Sequence, residues 1–170
     1  IDSLTTLIEL KGLVAGEVAD IFVDHDLSFY ITDTDGGRVI HFDRHGNKIQ
    51  VFKSKRNLAR PVSVTVDEVS GQVLIADGFN DDVLVFNRLG QLQGAIGERG
   101  LGRVQFTSIT AMATGPSGLY ITTRFGDHVQ VISYDNGYRY LKSFDKNIIT
   151  FPTAIIVDKD NRAFVSDYMD

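Results

Sequence analysis

The chain has 170 residues, 43% of them hydrophobic, with 16 glycines, 3 prolines and a formal net charge of −5. This composition describes a folded domain and excludes a disordered tail, and the acidic balance argues against general nucleic-acid binding, which rests on clustered Lys and Arg. With no cysteine, disulfides and thiolate metal sites are excluded in this stretch, and no apolar run approaches membrane-spanning length.

In chain order, residues 4–10 read as a lone strand, the outermost strand of a unit whose other strands lie elsewhere. A pattern of short alternating strands then returns about every 44 residues. Phe29-Tyr-Ile-Thr-Asp33, leading to Arg38-Val-Ile-His-Phe42, recurs as Val73-Leu-Ile-Ala-Asp77, leading to Asp82-Val-Leu-Val-Phe86. It returns as Leu119-Tyr-Ile-Thr-Thr123 before His128-Val-Gln-Val131, and once more as Ala163-Phe-Val-Ser-Asp167. Asp33, Asp77, Thr123 and Asp167 are thus spaced by 44, 46 and 44 residues. A period in the forties built from short strands is that of a β-propeller blade.

The expected fold is therefore all-β, a propeller of four-stranded antiparallel blades that forms part of a ring. Residues 1–17 are the outer strand of a preceding blade and its connector. Blades follow at 18–60, 61–106 and 107–151, and 152–170 supply the first two strands of a fourth. The count is fifteen strands, so the chain reads as an arc of about three and a half blades of a larger propeller. Such a blade cannot bury both faces alone and must stack on its neighbours.

The turn between second and third strands carries the most chemical detail. Gly36, Asn80 and Gly126 fall in one register, and these residue types enter the left-handed region at least cost. Asp33, Asp77 and Asp167 precede the turn and can accept hydrogen bonds from its amides, which favours a structural role over a catalytic one. The glycines from Gly94 to Gly102 neither follow Walker spacing nor open a helix, and they read as a flexible connector between blades.

Pro61-Val-Ser-Val-Thr-Val-Asp67, Ile75-Ala-Asp77, Arg38-Val39 and Phe42-Asp-Arg-His-Gly46 together resemble the NHL repeat over nearly the whole chain. The chain departs from that pattern at Thr123, Asp82 and His128, and at Ser133-Tyr134, where the third unit has an extra residue. The resemblance implies a six-bladed propeller used chiefly as a binding platform. It also implies extracytoplasmic localisation, as in bacterial relatives, with the cytoplasm as the alternative.

In this architecture the connectors into the inner strands and the second-to-third-strand turns share one rim. The connectors supply Lys53, Lys55, Arg56, Arg60, Arg99 and Arg103, and the turns supply Phe79, Arg124, Phe125, His128 and Tyr168. Aromatic and arginine side chains on a rigid rim are typical interaction anchors. Phe79 and Phe125 equally suit staples between blades, and the basic connector equally suits a solvated loop. The histidines at 25, 41, 45 and 128 lack ligand spacing, and there is no Gly-x-Ser-x-Gly elbow.

The expected function is a non-enzymatic module that recognises another protein, or the remainder of its own propeller, through this rim. No cofactor is expected, and the chain suits a component of a larger assembly. The alternatives are a lyase resembling the peptide amidating lyases, some of which use a metal-bound centre, and an RNA-binding domain like the NHL domains attached to TRIM proteins.

Overall fold

The structure is a computed structural model and describes residues 8–54, 58–126, 128–134, 137–144 and 148–168. Every regular element among them is a β-strand. The first sheet comprises β1 (Ile21–Val23), β2 (Phe29–Asp33), β3 (Arg38–Phe42) and β4 (Lys48–Phe52), in that order. The second comprises β5 (Pro61–Val66), β6 (Val73–Asp77), β7 (Asp82–Phe86) and β8 (Leu92–Ile96). After a short β9 (Glu98–Arg99), the third is built from β10 (Gln105–Gly115), β11 (Gly118–Phe125), β12 (Val129–Ile132) and β13 (Tyr140–Ser143). The pair β14 (Pro152–Val157) and β15 (Ala163–Asp167) completes the set. Apart from β9, sequence neighbours pair antiparallel within each sheet, as in propeller blades.

The second strands of the three complete blades are buried along most of their length because both of their faces are covered. In β6, Leu74 and Ala76 face the third blade, among Phe106, Ile109, Met112 and Ile121. Val73 and Ile75 face the first, among Tyr30, Val39, Phe52 and Val64. The two-residue period of a strand thus distributes one sequence run between two interblade cores. Polar groups join the inner strands: Ser63 Oγ donates to Asp20 Oδ2 (2.7 Å) and accepts from the Met112 amide (3.0 Å), linking three blades.

Each inner strand from the second blade onward carries a bulge, between Pro61 and Ser63, Ile109 and Ala111, and Pro152 and Ala154. The prolines stand at the first strand position, where a missing amide costs no ladder bond.

The structure departs from sequence expectation in three places. Of the strand expected over 4–10, residues 4–7 lie outside the described residues, and 8–10 pair with no strand. Instead Ile8, Leu10, Leu13 and Val14 cover the face of the first blade formed by Phe29, Ile31, Ile40 and Phe42. The glycine-rich connector is fastened: β9 pairs parallel with β10, and Gln130 binds the backbone of Gly102, Val104 and Gln105 at 2.9–3.1 Å. Its Gly97 has φ 77°, and a Cβ there would meet the Phe106 ring at 2.3 Å.

The third departure concerns Gly36 and Asn80, neither of which has positive φ. The left-handed residues are Gly37 (φ 59°) and Asp81 (φ 60°), whereas Gly126 (φ 88°) fits the expectation. In the first two turns the leading aspartate accepts the amide three residues on, Gly36 N at 3.1 Å and Asn80 N at 3.3 Å, which carries the reversal to the next position. Gly36 is required for close approach: a Cβ there would lie 2.3 Å from Asp33 Oδ2.

Candidate functional site

The rim is assembled by the aspartates at the ends of the second strands. Each reaches the connector that leads into the inner strand of its blade, and Asp33 and Asp77 also cap their own turns. Asp33 accepts from Ala15 N at 2.8 Å. Asp77 accepts from Ala59 N and Arg60 N at 2.6 and 3.1 Å, and from Phe79 N at 2.8 Å. Asp167 accepts from the amides of Thr150 and Phe151. Connector and turn are therefore bound side by side at one end of each blade.

Thr123 cannot do this and donates its hydroxyl to Phe125 O instead (3.1 Å). The connector of the third blade is held from the second: Asp81 Oδ1 accepts from Ser108 N (2.8 Å) and Ile109 N (3.3 Å). This role of Asp81 has no sequence signal, because the bond spans 27 residues between blades.

The rim residues differ in how committed they are. Phe79 is 64% exposed, Phe125 55% and Tyr168 81%, so none is a buried staple between blades. Arg60 pairs with Glu17 at 3.2 Å. Arg99 pairs with Asp81 at 2.9 Å and also donates to Phe79 O, which ties it beneath that turn. His128 Nδ1 lies 3.0 Å from Thr123 O inside its own turn. Arg103 lies away from the rim, its guanidinium 4.9 Å from the Tyr140 ring centroid on the outermost strand, a cation–π contact. Lys53 is exposed, and Lys55 and Arg56 lie outside the described residues.

Arg124 is exposed and forms no hydrogen bond or ion pair among the described residues. It borders two adjoining depressions. One, of about 350 Å³, lies at the axial mouth and is lined by Glu17, Arg60, Ser108 and Thr110 among others. The second, of about 420 Å³, is lined by Arg124, Phe151, Thr153 and Tyr168. Sequence reasoning missed Phe151 and Thr153. Aligning Pro61 with Pro152 would have found the first, since Phe151 then falls at the rim position of Arg60.

One titrating group stands out at this end. Asp82 is held up to about 6 by partial burial and by the neighbouring carboxylates of Asp77 and Asp81, and its Oδ1 is buried without a hydrogen-bond partner. At the opposite end of the blades, His25 Nε2 meets Glu68 Oε1 at 2.7 Å beside a separate cleft of about 400 Å³. Among the described residues no group of three or more His, Cys, Asp or Glu side chains is placed to hold a metal ion. No helix among them is long and apolar enough to cross a membrane.

All-β blades stacked through paired interblade cores define a propeller, and comparison with solved structures agrees. The chain is similar to virginiamycin B lyase from Staphylococcus aureus at TM-score 0.69 and 10% identity, covering 88% of this chain and 48% of the lyase. It is similar to the hydrazine synthase of Kuenenia stuttgartiensis at TM-score 0.66 and 15% identity, covering 88% and 42%. A catalytically inactive histidine-to-alanine form of the same lyase with quinupristin gives TM-score 0.61 at 11% identity, covering 89% and 56%. At such identities the likeness establishes the propeller fold alone, and the chain spans about half the length of these proteins. No protein-family model and no curated protein matches it.

Proposed function

We propose that the chain is part of an NHL-type binding platform that recognises another protein through the rim of connectors and second-to-third-strand turns. The observation that carries this reading is the exposure of Phe79, Phe125 and Tyr168 on turns whose backbone is held by hydrogen bonds to the blades. Large rings presented on a pre-organised scaffold are the side chains that serve as interaction anchors, and loops on a rigid frame are where recognition resides. On the resemblance to bacterial NHL proteins we place the platform outside the cytoplasm.

Hydrogen–deuterium exchange on the native assembly tests the proposal. Protection over residues 78–81 and 124–126, with partner retention lowered at least tenfold by Phe79→Ser plus Phe125→Ser, is expected. Protection confined to β4, β8 and β13 would mean edge-strand pairing and overturn it.

A second reading, a lyase-type enzyme, draws on the likeness to virginiamycin B lyase. Metal analysis and lyase assays of the complete protein separate the two.

A further inference from the structure

Resting on the rim reading, we propose that the depression between the third and fourth blades is a carboxylate subsite. Arg124 receives an acidic side chain of a partner polypeptide, and Phe151 and Tyr168 take the apolar group beside it.

The first observation is the isolation of Arg124. The guanidinium groups of Arg38, Arg60, Arg88, Arg99 and Arg162 each meet a carboxylate at 2.7–3.2 Å. Among the described residues Arg124 has no such partner, and the depression it borders has no acidic side chain in its lining. The residue before it is Thr123, where the other blades place Asp33, Asp77 and Asp167, so the strand-end carboxylate that pairs with Arg38 in the first blade has no counterpart here. The nearby Asp167 is engaged by the Thr150 and Phe151 amides.

The second observation is that the walls are fixed. Tyr168 N donates to Phe151 O at 3.1 Å, Phe151 N is held by Asp167, and Thr153 Oγ1 lies 2.8 Å from Ser166 Oγ. A guanidinium without a partner among the described residues, lining one depression with two aromatic residues on anchored backbone, matches a carboxylate flanked by an apolar side chain, with the fork geometry suited to two parallel hydrogen bonds. A single cation suits a monoanion, whereas a phosphate dianion would keep one charge uncompensated.

The occupant is assigned to a polypeptide because the depression opens onto the axial mouth, sharing Arg124 and Thr153 with it. A small acid is normally enclosed on most of its surface. This site instead has room for a chain to continue past the anchor.

Amide shifts of the ¹⁵N-labelled chain report binding of acetyl-Gly-Phe-Glu-Gly-amide and of its glutamine counterpart. Saturable shifts at Arg124, Phe151 and Thr153 are expected for the glutamate peptide, with affinity at least about fivefold above that of the glutamine peptide. Arg124→Gln should abolish that difference and Arg124→Lys should retain part of it. Equal binding of both peptides, or a difference that survives Arg124→Gln, would overturn the subsite. Tenfold tighter binding of hydrocinnamate would overturn its assignment to a polypeptide. If Phe79→Ser and Phe125→Ser release the native partner while Arg124→Gln does not, the subsite fails and the rim reading stands.

Discussion

Replacing Asp82 by Asn should stabilise the protein, and the gain should depend on pH. In the first blade the register pairs Asp33 with Arg38 across the hairpin, and the two form an ion pair at 2.7 Å. The second blade pairs Asp77 with Asp82, two carboxylates directly opposite each other, with Asp81 adjacent. Like charges in that position destabilise a sheet. The Asp82 carboxyl rises from 3.8 to about 6, chiefly through desolvation and then through Asp77 and Asp81. Because the folded value is raised, its stabilising contribution is complete below pH 3.8 and is lost as pH climbs through 6.

A rise of that size corresponds to a ceiling of about 3 kcal/mol. Asp82 is half-exposed, and solvent screening reduces the figure to roughly 1–1.5 kcal/mol at pH 7.5. Since much of the titration has yet to occur at pH 4.5, the gain there should be clearly smaller than at pH 7.5. Urea unfolding followed by circular dichroism, wild type against Asp82→Asn at both pH values, measures the difference directly. An equal gain at both pH values, or a loss at pH 7.5, would refute the argument, because either result requires Asp82 to be comfortably ionised in the folded state.

Asp77→Ala removes the acceptor for the amides of Ala59, Arg60, Phe79 and Asn80, and should cost about 2–3 kcal/mol in the same unfolding assay even after relief of its repulsion with Asp82. His41 stacks on Tyr30 with ring centroids 4.0 Å apart, and its Nε2 is buried without a partner. Burial lowers its affinity for a proton, so its contribution to stability is present above pH 6.5 and is lost as pH falls through the lowered folded value. His41→Phe should therefore flatten the decline in stability between pH 7 and pH 5, measured as the melting temperature relative to wild type.

The blade pattern was legible because the second strand of each complete blade is buried on both faces, so a run such as Val73 to Ala76 announces itself. The turn chemistry was legible in kind and misplaced by one residue. An aspartate visibly caps a turn, but which amide it chooses is decided by packing, and that choice moved the left-handed position from Gly36 to Gly37 and from Asn80 to Asp81. The β9–β10 pairing was invisible because two residues are too few to show a period. The rim was identifiable in outline, since topology alone brings turns and connectors together. The distinction between Arg103, which lies on Tyr140, and Arg124, which lies beside Phe151 with no partner among the described residues, depends on side-chain placement that spacing does not encode.

The third blade raises the sharpest question, because its aspartate is replaced by Thr123 and yet its connector is held. The holding group is Asp81 of the preceding blade, which also engages Arg99. Ser108, at the receiving end, has φ 59°, a conformation that a non-glycine residue adopts at a cost of about 1 kcal/mol and keeps only when neighbours enforce it. Asp81→Ala should therefore cost about 2–3 kcal/mol, because the Ser108 and Ile109 amides and Arg99 all lose their acceptor, which outweighs any relaxation at Ser108. Thr123 pairs across the hairpin with Ile109, just as Asp77 pairs with Pro61 and Asp167 with Pro152. An aspartate at 123 would thus face the Ser108 amide from the position that the other blades use. In the wild-type background Thr123→Asp should destabilise, since it buries a second carboxylate where Asp81 has taken the amides. In the Asp81→Ala background it should restore stability, giving a favourable coupling of at least 1 kcal/mol in a double-mutant cycle by urea unfolding. Additive losses would show that the two positions do not serve one connector, and that the third blade holds its entry strand by other means.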